Sequence, residues 1–364
     1  MPISSPPGHK VVVTEFGETP LDALDRCVAL EPMPPPDPAA LGPRDVIVAV
    51  RSAAVGWVDL LMTSGQYQHM PKPPYVPGLE WAGVVAWKGD GVREFDVGDA
   101  VLADGLATGP RSLGAYQAYG GFASYAVAPA EGLHRIPAAL SFDQASNLLG
   151  SYETAYYALV TRGRVAPGET VLVHGASGAT GLAAVHVAKL LGANVVATGR
   201  SPEKLAVVKE QGADWVVRSE GAFHDEVKAL TGGRGVDVVY DGVGGDVSVE
   251  SLRCVRFGAR FLVVGWASTP FVARGKGQRG APNANLLPTN LVLMKGLDVL
   301  GCPMAIATTK DPSLRAPRLA EVLRWAAEGR VRPYVGRVFS LADFGAAMRA
   351  KWNGEVIGGC ALRP

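Results

Sequence analysis

Charge imbalance, clustered cysteines and long apolar runs are all missing from this sequence, and each absence removes a class of function. Thirty-five Lys and Arg stand against 34 Asp and Glu, a formal net charge of +1. No global field therefore draws the chain to nucleic acid or to an anionic membrane surface. The four cysteines, Cys27, Cys254, Cys302 and Cys360, are scattered, with no C-x-x-C pair and no histidine at ligand spacing, so neither a disulfide framework nor a zinc knuckle is expected. No run of about 18 apolar residues occurs, and Met1 to Lys10 has no apolar leader core, so the expectation is a cytoplasmic chain without a membrane span. What remains is 364 residues, 48% of them hydrophobic, enough for a sizeable core and two domains.

Up to about Ala139 the text is strand-like and punctuated. Val11-Val-Val is followed by a proline-rich link from Pro32 to Pro38, then by the alternating Asp45-Val-Ile-Val-Ala-Val-Arg and by Gly83-Val-Val-Ala-Trp, which together suggest short strands folded into a barrel-like unit. Gly105 to Gly121 has no period and reads as a loop. From Ser141 the pattern turns helical, and after Pro167-Gly168 strands alternate with helices; strands are expected at 170–174, 194–198, 214–217, 236–240, 259–264 and 297–301. Six such strands make a doubly wound α/β sheet. The tail, helical at 315–329 and then strand-like from Val356 to Leu362, returns to the first domain in the simplest reading. This gives a Rossmann domain over 149–305 inserted in a β-rich domain formed by 1–148 and 306–364, with the cleft between them as the default site.

The stretch Val171-Leu-Val-His-Gly-Ala-Ser-Gly-Ala-Thr-Gly-Leu182 is the centre of that arrangement, an apolar strand running through a glycine turn into a helix. Gly175, Gly178 and Gly181 stand at G-x-x-G-x-x-G spacing: a tight turn, a close approach of backbone to a pyrophosphate, and close packing of helix on strand. With Ser177, Ala179 and Thr180 they form a candidate dinucleotide cradle at a helix N-terminus. Ser177 does not lie in a G-x-S-x-G elbow, because the last position is Ala179. At the end of the second strand, where an NAD enzyme places an acid for the ribose, the chain reads Thr198-Gly-Arg-Ser-Pro-Glu-Lys204. Arg200, Ser201 and Lys204, with Arg218 after the next strand, suit a 2′-phosphate, so NADPH is expected. The alternative leaves Arg200 and Lys204 solvated and gives the ribose to Glu203.

Several further motifs accompany the cradle: Val55-Gly-Trp-Val-Asp-Leu, Ser64-Gly-Gln-Tyr, Val76-Pro-Gly-Leu-Glu-Trp-Ala-Gly-Val-Val, Gly121-Phe-Ala-Ser-Tyr, Thr154-Ala-Tyr, Gly233-Arg-Gly-Val-Asp-Val-Val and Asp241-Gly-Val-Gly-Gly. In these the chain resembles the quinone oxidoreductase (zeta-crystallin-like) branch of the zinc-free medium-chain dehydrogenase/reductase superfamily, from Val46 to near Leu341. The resemblance implies a GroES-like catalytic domain around the Rossmann domain. Zinc ligands of related dehydrogenases would fall on Gly56, Leu79 and Gly150, none of which can bind a metal. Without a Lewis acid, reduction of a quinone or of an activated C=C is the chemistry left. The resemblance also implies that Tyr152 and Thr154 border the nicotinamide, that Val243, Gly265 and Trp266 lie against the cofactor, and that Tyr67 is the proton donor used by similar enoyl reductases. The other reading of Tyr67 is a ring packed on the cleft wall. Asp59 and Glu80 are expected to be structural.

The loop carrying Arg274, Lys276 and Arg279 suits an acidic substrate or a coenzyme A thioester, or is simply a solvated basic loop. The expectation is therefore an NADPH-dependent, zinc-independent reductase of quinones or α,β-unsaturated carbonyl compounds. Two alternatives stand beside it, an enoyl thioester reductase and a crystallin-like protein that holds NADPH without turnover. Self-association as a homodimer or homotetramer is expected through an edge strand near Leu297 to Cys302.

Overall fold

The computed structural model of the chain describes residues 6–67, 71–112, 114, 116–268 and 285–364. These form two compact units, one from residues 6–149 and 332–364, the other from 150–268 and 285–331. The first unit opens with a hairpin of β1 (Gly8–Val13) and β2 (Val28–Met33), then β3 (Asp45–Ala54), β4 (Trp81–Lys88), β5 (Ala100–Ala103), β6 (Tyr125–Pro129) and β7 (Leu133–Arg135). β3 is the spine. It pairs antiparallel with β4 along most of its length and with β6 through residues 45–49, and its register against β4 shifts twice. Such bulges bend a strand and let a sheet curl. The alternation seen at Asp45–Arg51 sorts side chains between two cores rather than between core and water. Val46, Val48 and Val50 join the main cluster around Trp81 and Phe122, while Ile47 packs with Met33, Val76 and Tyr125.

The second unit holds a parallel sheet of β8 (Thr170–Val173), β9 (Asn194–Gly199), β10 (Trp215–Arg218), β11 (Val236–Asp241), β12 (Val255–Val263) and β13 (Asp298–Gly301). Its order is β10-β9-β8-β11-β12-β13, with every pairing parallel. All six expected strands are present, and the order reverses between β8 and β11, the switch point where open α/β sheets bind ligands. The core strands β8 and β11 are buried throughout, as a sheet covered on both faces requires.

The C-terminal strands β14 (Val335–Ser340) and β15 (Gly359–Arg363) return to the first unit. There they complete the sheet β14-β15-β3-β4-β5-β7, with β15 taking the end of β3 at Ala53 and Ala54 beyond the part that β6 occupies. The return comes later than residue 306, where the sequence reading placed it. The helices Met304–Lys310 and Arg315–Ala327 belong to the second unit. The physical reason is electrostatic: Arg315 and Arg318 both meet the buried Glu153. No helix among the described residues is long and apolar enough to cross a membrane.

Candidate functional site

At the C-terminal end of β8 the chain turns through Gly175 at φ +60°, a conformation open to glycine. Ala176 N–H donates to Thr198 O (3.1 Å), tying the turn to β9, and Gly178 N–H donates back to Gly175 O (3.0 Å). The helix Ala179–Leu190 then starts with Gly178 as its extended N-cap residue and with no side chain capping it. Its first intrahelical bond runs from Leu182 N–H to Gly178 O (2.9 Å), so the helix has no acceptor of its own for the N–H groups of Ala179, Thr180 and Gly181. A Cβ on Gly181 would lie 2.3 Å from Gly175 O and 2.8 Å from Ala176 Cα, whereas one on Gly178 would meet only Gly175 O at 3.4 Å. Helix and turn are thus packed backbone to backbone at Gly181 and open at Gly178. This is the arrangement a pyrophosphate needs.

Behind the turn sits His174, fully buried. Its Nδ1 lies 2.7 Å from Thr198 Oγ1 and its Nε2 2.5 Å from Ser251 Oγ. Ser251 donates its only proton to Val247 O (2.6 Å), so Ser251 accepts from His174 Nε2–H and Thr198 donates to Nδ1. Burial pushes the imidazole pKa down to about 4, leaving it neutral near pH 7.

β11 and β12 supply the facing wall. Asp241 at the end of β11 is buried and accepts from Val243 N–H (2.8 Å) and Gly244 N–H (3.0 Å), and from the Ser248 hydroxyl. This folds Val243 over Gly175, where a Cβ would meet Val243 Cγ2 at 3.0 Å. After β12, Gly265 N–H donates to Asp241 O, Ala267 N–H to Gly242 O and Ser268 N–H to Val243 O. The structure therefore gathers Gly175, Ser177, Gly178, Ala179, Thr180, Gly181, Val243, Gly265 and the half-exposed Trp266 at one end of the sheet.

Register places the other expected group beside them, since Arg218 of β10 lies opposite Gly199 of β9. Arg200 is exposed. Ser201 caps the next helix by accepting from Lys204 N–H (3.3 Å) and donates its proton to Glu203 (2.6 Å), which holds the Glu203 carboxyl below its ordinary range. Arg218 pairs with Glu220, an exposed contact that another anion can replace.

Tyr152 lies inside the second unit. It is 2% exposed and its hydroxyl lies 2.7 Å from His186 Nδ1, on the cradle helix. In the helix Leu149–Tyr156, residues two apart point to opposite sides, so Tyr152 and Thr154 cannot share a face. Tyr152 packs inward, and the Thr154 hydroxyl donates to Gly150 O (2.6 Å). Between them lies a group the sequence reading missed. Glu153, 1% exposed, accepts from Arg315 (2.9 and 3.2 Å) and Arg318 (2.8 Å), and Arg318 also donates to Thr308 (2.8 Å). The available signal was its isolation, as the one acid between Asp143 and Glu169.

In the first unit Tyr67 is half-buried beside Val13, Met62, Tyr75 and Leu79. Its hydroxyl oxygen accepts from Arg111 Nη2 (2.9 Å), and the guanidinium carbon stands 5.3 Å from the ring centroid. Arg111 was not anticipated, although it is the one charged residue between Asp104 and Glu131. Asp59 is buried and accepts from Gly56, Gly78 and Leu79 N–H (2.9, 3.1 and 3.1 Å). Desolvation outweighs these donors and raises its carboxyl to about 6. Among the described residues no group of three His, Cys, Asp or Glu side chains could hold a metal ion. The basic loop with Arg274, Lys276 and Arg279 lies outside the described residues.

Comparison with known proteins agrees with this architecture. Residues 42–138 match the alcohol dehydrogenase GroES-like domain, and residues 179–314 match the family described as zinc-binding dehydrogenase. Quinone oxidoreductase-like protein 2 of Mus musculus is 33% identical over 326 residues, covering 88% of this chain and 86% of the relative. Highly-reducing polyketide synthase 1 of Aureobasidium melanogenum is 31% identical over 90% of this chain but only 14% of its own length. The solved structure of Escherichia coli quinone oxidoreductase complexed with NADPH aligns with a TM-score of 0.78 at 25% identity, over 98% of this chain and 100% of that one. With this sheet order, this glycine cradle and these relatives, the chain belongs to the quinone oxidoreductase (zeta-crystallin-like) branch of the medium-chain dehydrogenase/reductase superfamily.

Proposed function

We propose that the protein is an NADPH-dependent, zinc-independent reductase of quinones or α,β-unsaturated carbonyl compounds. The uncapped start of the cradle helix carries this reading: three N–H groups without a helical acceptor converge where Gly178 leaves room for a pyrophosphate. At the adenosine end, β9 closes on Gly199 rather than on an acid, and Arg200 and Arg218 stand ready for a 2′-phosphate. Glu203 is the competing group that would favour NADH. Gly56, Leu79 and Gly150 occupy the positions where zinc-dependent relatives carry ligands, and Gly56 instead opens a helix whose Asp59 accepts its N–H.

The reduced nicotinamide supplies hydride. The chain's own contributions are orientation and a hydrogen bond. Val243, Gly265 and Trp266 wall the cofactor, Thr154 is held by Gly150, and the resemblance to enoyl reductases gives Tyr67 the role of proton donor. Consumption of NADPH with a panel of quinones, enones and enoyl thioesters, with and without a chelator, tests this. Turnover with quinones or enones that survives chelation is expected. NADPH binding without consumption would favour the crystallin-like reading instead. The match to a stretch of a polyketide synthase supports one second reading, reduction of enoyl thioesters.

We also propose that the protein self-associates. β13 is the edge of its sheet, and Val299 on it and Leu293, Met294 and Phe257 near it are exposed, a combination that invites a second copy. Light scattering is expected to show a dimer or tetramer at micromolar concentration, and Val299→Lys to shift it toward monomer.

A further inference from the structure

β8 pairs with β9 as far as Val173 opposite Ala197. Two hydrogen bonds carry the join further, and both end on Thr198. Its carbonyl accepts from Ala176 N–H (3.1 Å) in the glycine turn, and its hydroxyl donates to Nδ1 of His174 (2.7 Å) at the root of that turn. Thr198 and His174 are both buried, so the hydroxyl has to be satisfied inside the protein. The direction of the second bond is imposed from the far side. Ser251, at the end of the helix Asp246–Ser251, spends its proton on Val247 O, so the imidazole proton sits on Nε2 and the Nδ1 lone pair is left for Thr198. Immediately after Thr198, Gly199 closes β9 opposite Arg218 and accepts from Ser219 N–H (2.9 Å). Arg200 and Glu203, the two groups that compete over the adenosine ribose, follow directly.

We infer that His174 is a positioning residue for cofactor choice: through its Nδ1 bond to Thr198 it holds the segment 199–204 in register with the glycine turn. This rests on the proposed reading of the turn as the phosphate site, and it places part of the selectivity in two buried bonds beneath the surface charges. A dinucleotide spans both places at once, its pyrophosphate on the turn and its adenosine ribose at the end of the second strand. The covalent path from pyrophosphate to ribose C2′ has a limited span, so Arg200 meets a 2′-phosphate only while the turn and the strand end keep their relative position. NADH carries no such phosphate and is indifferent to where Arg200 stands. Without the Nδ1 acceptor, the Thr198 side chain turns toward another partner and the end of β9 drifts from the turn, although neither His174 nor Thr198 touches the cofactor.

Calorimetric titration of the full-length protein with NADPH and with NADH, beside thermal unfolding without cofactor, tests this in two pairs of variants. His174→Asn puts an amide oxygen near the place of Nδ1 and keeps the acceptor, whereas His174→Leu removes it. Thr198→Ser keeps the donor, whereas Thr198→Val removes it and keeps the branched shape. His174→Leu and Thr198→Val are expected to weaken NADPH at least about fivefold and NADH less than about twofold. His174→Asn and Thr198→Ser are expected to lower Tm, through the lost Ser251 bond and the lost methyl group, and to keep the ratio of the two affinities within about twofold of the unmodified protein. A merely structural role would move the ratio with Tm or not at all. A ratio that stays constant in all four variants, or follows Tm across them, would therefore overturn the positioning role. If His174→Leu does not fold, Thr198→Val against Thr198→Ser decides by the same criterion. Preference of the unmodified protein for NADH would refute the 2′-phosphate reading alone; His174 would keep its role if His174→Leu and Thr198→Val still shifted the ratio while His174→Asn and Thr198→Ser did not, and would lose it otherwise.

Discussion

Two alanine substitutions, Gly181→Ala and Gly178→Ala, separate the packing role of the cradle from its proposed binding role. At Gly181 the new Cβ would stand 2.3 Å from Gly175 O and 2.8 Å from Ala176 Cα, both well inside the ~3.5 Å at which non-bonded heavy atoms rest. Both obstacles are backbone, so relief requires the helix Ala179–Leu190 to move off the turn. Overpacking of this kind costs about 1–3 kcal/mol, and the upper value corresponds to a fall in Tm of roughly 6–12 °C for a unit of this size. At Gly178 the Cβ makes an ordinary 3.4 Å contact, and the residue's φ of −78° suits any L-residue. Cofactor-free stability should therefore stay within about 1 kcal/mol, the cost of a poorer N-cap residue. The methyl group would point into the space left for the pyrophosphate, and NADPH affinity should fall at least about tenfold, or 1.4 kcal/mol. Thermal unfolding without cofactor and calorimetric titration with NADPH read the two effects separately. Unchanged NADPH affinity in Gly178→Ala would refute this turn as the phosphate site, and an unchanged Tm in Gly181→Ala would refute the packing.

Arg200→Ala should weaken NADPH about tenfold or more while leaving NADH nearly unchanged, since a hydrogen bond to a charged group contributes about 1.5–3 kcal/mol; equal losses for both cofactors in titrations would exclude a 2′-phosphate contact. Glu153→Gln removes the counter-charge of the 1% exposed Arg318 and should cost about 3–5 kcal/mol in denaturant unfolding; a loss under about 1 kcal/mol would contradict it. The Asp59 carboxyl, raised from 3.8 to about 6 by burial, contributes stability that is fully present below the unfolded value near 4 and lost as pH rises through about 6. The stability of the unmodified protein relative to Asp59→Asn should therefore decline from pH 4 to pH 7 and then level off, and a constant difference in melting curves would show that Asp59 does not titrate in this window.

The parallel sheet was legible because its strands are buried on both faces and so read as short apolar runs such as Val171-Leu-Val and Val236-Asp-Val-Val-Tyr between glycine turns. The cradle was legible for a related reason, since its glycines answer local backbone demands. What escaped were relations between distant residues. Nothing around Arg315 says which unit the helix joins, because its partner Glu153 lies 162 residues earlier. Arg111 stood out as a lone charge, but a loop without period gives no direction for its side chain, and only the fold brings it to Tyr67. The inward position of Tyr152 was not legible for the opposite reason. The motif identifies the residue, while the helical rotation that turns it inward depends on where the helix begins.

The hydrogen-bonding of His174 fixes more than a side chain. With one ring nitrogen receiving a proton from Thr198 and the other delivering its own to Ser251, neither has room for a second proton unless a buried hydroxyl reverses. His174 therefore stays neutral across the ordinary working range of pH. On the proposed reading, a cofactor phosphate at the turn would meet peptide dipoles that do not titrate, and the choice between NADPH and NADH would fall to Arg200 and Arg218.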